Sequence, residues 1–152
     1  MSKEITFYHL TSTPLEKALP HLMFKIYESG SRALIVCENE EQMKALDHIL
    51  WSFSTKKFIP HGTVFEENSE QQPILLSDSL DTLTNNPDIA VILNGCSIES
   101  DNNFKKYMYM FYGNKNDKEV ISNYSLMNVY KKLGYRVKLW TLDAKGTWVT
   151  KD

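Results

Sequence analysis

A chain of 152 residues, 42% hydrophobic and 24% charged, has the length and composition of one soluble globular domain spanning 1–152. A net charge of −2 supplies no global basic field, so direct or sequence-specific nucleic-acid binding is not expected as the main activity. No apolar run approaches the roughly 20 residues a membrane helix needs, and no signal-peptide pattern follows Met1, so a cytoplasmic protein without a membrane partner is expected.

In chain order, strands alternate with helices. Ile5 to Leu10 is a short aromatic and β-branched run, read as a strand. Thr13-Pro14-Leu15-Glu16 has the features of a helix start, with Thr13 as cap, Pro14 first in the helix and Glu16 completing a capping box. Leu15, Leu19, Leu22, Met23 and Ile26 recur at helical spacing; Pro20 should kink this helix or mark its junction, and Gly30 should end it. Arg32 to Cys37 is almost wholly apolar, as a strand covered on both faces would be. Asn39 and Gln42 are placed to cap a second helix carrying Met43, Leu46 and Leu50.

Glu66 to Gln72 is polar and reads as exposed. Pro73 to Ser77 predicts a short strand, Ser79 to Pro87 a turn-rich connector, and Ile89 to Leu93 a second interior strand. Gly95 to Asn103 reads as a loop, and Lys106 to Tyr112 as an aromatic strand. Asn116 or Asp117 should cap a helix ending near Leu133 and Gly134, with Val120, Ile121, Tyr124, Met127 and Tyr130 inward. Arg136 to Leu142 alternates like an edge or one-sided strand, Asp143 to Gly146 turns the chain, and Thr147 to Thr150 pairs back. The order β-α-β-α-β-β-β-α-β-β predicts an α/β sandwich with a mainly parallel sheet and Val36 and Val91 buried.

Nucleotide chemistry finds little support. The turn after the first strand is Thr11-Ser12-Thr13-Pro14, without the glycines that let a backbone cradle phosphate, and no GxxxxGK[ST] occurs. The scaffold is Rossmann-like with its phosphate cradle missing. No histidines sit at metal spacing, two cysteines alone make no zinc site, and no serine lies in a GxSxG turn. No cofactor, metal or catalytic residue is therefore expected. The alternative is a small α/β enzyme or nucleotide-binding protein with an unrecognised site near His9 and Thr11.

The most informative stretch is Leu46 to Gly62. It leaves a helix with its apolar residues still coming: Trp51, Phe53, Phe58, Ile59 and Pro60 occur within ten residues. Pro60 restricts Ile59 to extended backbone. Aromatics on such a segment either plug the core or form a patch that a partner covers. Near the end of the last helix, Lys131, Lys132 and Arg136 gather where cations suit the helix C-terminus, or else rim a pocket for an acidic peptide.

The helix end LDHILW, the run Phe58-Ile59-Pro60-His61 and the opening ITFYHLTSTPLEKALP resemble the chi subunit family of bacterial DNA polymerase III. QQPILLSD, FYGNKNDKEV and the late Gly-Thr-Trp also fit, so an ordered set covers essentially the whole chain. The resemblance implies a non-enzymatic, Rossmann-like adaptor linking the clamp loader to single-stranded DNA-binding protein. It assigns Trp51, Phe58, Ile59, Pro60 and His61 to the face for a clamp-loader subunit, psi or its equivalent. It makes Lys131, Lys132 and Arg136 candidates for an acidic C-terminal tail. The chain departs from the family at one place. Well-known members carry several basic residues within the last helix, whereas VISNYSLMNVYK has no charge before Lys131. Either the tail uses the helix end and neighbouring strands, or binding is weak.

Overall fold

The computed structural model describes residues 4–98, 104–142 and 147–151. One eight-stranded sheet runs through them, its strands being β1 (Glu4–Leu10), β2 (Ala33–Val36), β3 (His61–Thr63), β4 (Ile74–Ser77), β5 (Ile89–Ile92), β6 (Lys106–Tyr112), β7 (Arg136–Leu142) and β8 (Trp148–Lys151). Their order across the sheet is β3-β4-β2-β5-β6-β1-β7-β8. Neighbours are parallel except β7 and β8, which form the expected antiparallel pair. The expected loop from Gly95 to Asn103 lies partly outside the described residues, and the turn from Asp143 to Gly146 wholly outside.

Three helices, α1 (Leu15–Glu28), α2 (Glu40–Ser52) and α3 (Lys118–Lys132), cover the sheet. Side chains alternate across each strand, so every interior strand feeds two cores. Ala33, Ile35 and Cys37 pack with Leu19, Met23, Met43 and Leu46 of α1 and α2. Leu34 and Val36, one residue out of phase, pack in the core that holds Val120, Met127 and Tyr130 of α3. Val36 and Val91 are both fully buried, as an interior strand covered on both faces requires.

The helix ends partly follow the sequence. Asn39 Oδ1 accepts the Gln42 backbone N–H at 2.8 Å, and Gln42 returns Oε1 to the Glu38 N–H at 2.7 Å. Past α3, Gly134 adopts φ +93°, and the Gly134 and Tyr135 N–H groups donate to the carbonyls of Lys131 and Tyr130. That closes a Schellman motif, which needs the left-handed glycine. The start of α1 differs from expectation. Pro14, not Thr13, occupies the N-cap position, no side chain caps the helix, and the Pro14 carbonyl accepts from Lys17 and Ala18. The helix then runs as one element through buried Pro20.

Two further differences concern facing. On α3, Ile121 is exposed and Asn123 is buried in its place, its amide donating to the Glu119 carbonyl at 2.8 Å. β3 is a strand the sequence does not announce, because His-Gly-Thr carries no apolar alternation and exists as a strand only through its pairing with β4.

Candidate functional site

The capped helix α2 sends Met43, Leu46 and Leu50 into the core. Trp51 lies off that stripe and is 55% exposed at the last turn. Beyond the helix, Ser54 Oγ accepts the backbone N–H groups of Lys56 and Lys57, both at 3.1 Å, and turns the chain back. The extended segment that follows puts Phe58 outward, 52% exposed, and Ile59 fully inside, as successive residues of an extended chain must alternate. The Trp51 and Phe58 rings pack with centroids 5.3 Å apart, so two exposed aromatics hold each other in place.

Of the five residues assigned to the partner face, two present large apolar surface. Pro60 is half-buried. Ile59 and His61 both lie underneath, Ile59 in the core and His61 only 3% exposed. His61 is held by two backbone carbonyls, its Nδ1 2.7 Å from the Ile59 oxygen and its Nε2 3.0 Å from the Asp47 oxygen. The Trp51 ring rests on it with centroids 4.8 Å apart. His61 is therefore the support of the patch, not its surface. Phe65, 65% exposed just beyond β3, is an outward aromatic that the sequence reading passed over.

Lys131, Lys132 and Arg136 are all exposed. The two lysines occupy the last turn of α3, where they complement the helix dipole, and Arg136 opens β7 with its Cα opposite Glu4 of β1. A cleft of about 660 Å³ lies at the other end of α3, beside the C-terminal ends of β1 and β7. His9, Thr11, Lys115, Ile121, Tyr124, Asn128 and Thr141 line it, so its character is apolar and neutral-polar with a single cation on the rim. The basic cluster and the cleft do not coincide.

His9 is buried at that cleft's edge and fully engaged. Its Nε2 is 2.8 Å from the Gly113 carbonyl, which only accepts, so Nε2 carries a proton. Nδ1 then faces the Tyr124 hydroxyl at 2.9 Å, and the ring stacks on Phe111. Burial holds the Tyr124 phenol above its ordinary range, so it stays a neutral donor. Such a histidine braces β1 against α3. Thr11 is exposed on the cleft rim. Among the described residues no three His, Cys, Asp or Glu side chains are grouped to hold a metal ion, and no helix is long and apolar enough to cross a membrane.

The family model described as DNA polymerase III chi subunit, HolC, matches residues 1–138. The chain belongs to the DNA polymerase III chi subunit family. A protein of Rickettsia prowazekii named as a probable DNA polymerase III subunit chi is 29% identical over 139 residues, 91% of this chain and 80% of that protein. The DNA polymerase III subunit chi of Haemophilus influenzae is 34% identical over 80 residues, 51% of this chain and 56% of that protein. That of Escherichia coli is 32% identical over 71 residues, 42% of this chain and 48% of that protein. The chi match takes in the whole aromatic patch and all of α3, and it ends inside β7, so β8 lies beyond it.

Proposed function

We propose that this chi-family chain is a non-catalytic adaptor of the DNA polymerase III assembly, a single Rossmann-like domain whose Trp51–Phe58 patch docks on a clamp-loader subunit. The observation that carries the reading is the pairing of two half-exposed aromatics on a braced helix end. Large rings fixed against each other lose little conformational freedom on binding, which makes them effective anchors. Pro60 extends the patch at its edge. The engagement of both His9 nitrogens favours this adaptor over an enzyme near His9 and Thr11.

The second link runs to the acidic C-terminal tail of single-stranded DNA-binding protein. Two surfaces compete for it. Lys131, Lys132 and Arg136 offer charge without a cavity, and the cleft beside Tyr124 and Asn128 offers an apolar floor with Lys115 as its lone rim cation. A tail that ends in an apolar residue and a carboxylate is better met by the cleft, with the distant lysines acting on encounter rate.

The test is reconstitution with the clamp-loader subunits of the same cell. Replacing Trp51 and Phe58 together by Ala is expected to abolish co-elution while the circular dichroism spectrum stays native. Unchanged co-elution of that folded double variant removes the patch from the interface.

A further inference from the structure

Beneath the patch, the two ring nitrogens of His61 face only oxygen atoms. Nδ1 meets the Ile59 carbonyl at 2.7 Å; Nε2 meets the Asp47 carbonyl at 3.0 Å and the Asp47 carboxylate Oδ1 at 3.2 Å. A carbonyl oxygen accepts and cannot donate. A neutral imidazole has one N–H and one lone pair, so either tautomer would press a lone pair against a carbonyl in a buried site. Only the imidazolium donates in both directions.

We propose that His61 is held as the imidazolium, with the Asp47 carboxylate as its counter-charge, and that this pair is a pH-sensitive latch that sets the shape of the Trp51–Phe58 patch. The inference rests on the docking role of that patch and deepens it. One N–H grips the loop through Ile59, the other grips α2 through Asp47, and the ring thereby cross-braces helix to loop. Trp51 lies one turn after Asp47 on the same helix and packs its indole on the ring, so the cation also faces an aromatic π-system. Phe58, seated against Trp51, inherits the arrangement.

The surrounding charges set the sign. From α2 come Asp47 and the exposed His48; from the segment after β3 comes Glu66; the register partner of His61 in β4 is Ile74, which does not titrate. Lys56 and Lys57 of the preceding loop are exposed. Burial raises the Asp47 carboxyl, and the His61 ring beside it opposes part of that rise. As pH rises through the titration of the ring, one N–H is lost. Either Ile59 or Asp47 is then released, and the latch opens. As pH falls through the Asp47 titration the carboxylate is neutralised, but both carbonyl contacts remain and the latch stays closed.

The experiment is ¹⁵N NMR of the His61 ring in the free, full-length protein from about pH 5 to about pH 9, a range that brackets ordinary histidine titration, together with Trp51 fluorescence. The expected result is a ring protonated on both nitrogens at the acid end, with its deprotonation and the Trp51 change sharing one midpoint. Asp47→Asn should move that midpoint to lower pH, and His61→Gln should leave the Trp51 signal flat. A ring that is one neutral tautomer throughout, or that loses its proton while Trp51 is unmoved, overturns the latch. Binding to the reconstituted clamp-loader complex is then measured on both sides of the midpoint. A loss of about tenfold at high pH is expected, the scale of one charge-assisted hydrogen bond. Equal affinity on both sides overturns the latch and spares the docking reading; no binding at any pH overturns docking, while the NMR result still decides the latch.

Discussion

Phe58 and Ile59 are adjacent residues with opposite environments, and replacing each by Ala separates binding from folding. A core Phe→Ala change costs about 3–5 kcal/mol. Phe58 keeps 52% of its surface in solvent, so the loss of stability should be about 1–2 kcal/mol. At this chain length that lowers Tm by about 2–8 °C. If Phe58 anchors a partner, the same truncation costs about 2 kcal/mol or more of binding, a loss of about thirtyfold in affinity. Ile59 is fully buried, so Ile59→Ala should cost about 2–5 kcal/mol of stability. At temperatures where that variant is folded, its binding should be nearly native. The assays are thermal unfolding by circular dichroism and titration calorimetry against the clamp-loader complex. Equal destabilisation by the two variants, or native affinity for Phe58→Ala, would refute the reasoning.

Asn39→Ala removes the α2 cap and should cost about 1 kcal/mol; because the cap is far along the helix from Trp51, thermal unfolding should register it and calorimetric affinity should not. Changing Lys131, Lys132 and Arg136 together to Ala should slow association of an acidic C-terminal peptide at low salt in stopped-flow measurements, with little change in dissociation; an unaltered on-rate removes them from the tail's path. Burial, with help from Glu4, pushes Tyr8 up to about 12, and burial with Tyr135 and Tyr130 does the same for Tyr107. Both sit above the ordinary phenol value of 10.0, so their contribution is intact below pH 10 and is lost as pH rises through about 12. The share of tyrosinate absorbance that belongs to these two buried rings should therefore appear together with unfolding in that window. Cys37 is likewise raised to about 12 by burial and by Asp78 and Glu38, so thiol labelling at mildly alkaline pH should spare it until the protein unfolds.

Much of the scaffold is legible because apolar runs with no polar phase, such as Ala33–Val36 and Ile89–Ile92, fit only a sheet covered on both faces. The α2 cap is legible because Asn39 and Gln42 act locally. Facing is another matter. In Phe58-Ile59-Pro60 every residue is apolar, so nothing in the sequence fixes which of an alternating pair turns inward; the pairing of the next three residues with β4 decides it. On α3, apolar residues occur on both sides, and contact with the sheet selects Asn123 over Ile121. The Thr13 cap fails because Pro14 already presents an extended backbone and a free carbonyl at the helix start. The paired carbonyls around His61 come from residues 2 and 14 positions away, a convergence that no motif records.

The same convergence explains why a patch of exposed aromatics can persist in a free protein. Unsupported rings on a loop would collapse onto the surface or sample many rotamers, and a partner would bear the cost of ordering them. Here the helix that fills the core with Met43, Leu46 and Leu50 also fixes the Trp51 backbone, and the buried ring below Trp51 fixes its face. The core stripe and the exposed Trp51 thus lie on different sides of one helix. Mutations on the inner stripe should lower Tm without altering affinity per folded molecule, whereas changes at buried His61 should lower both, since the ring braces helix to loop directly beneath the patch.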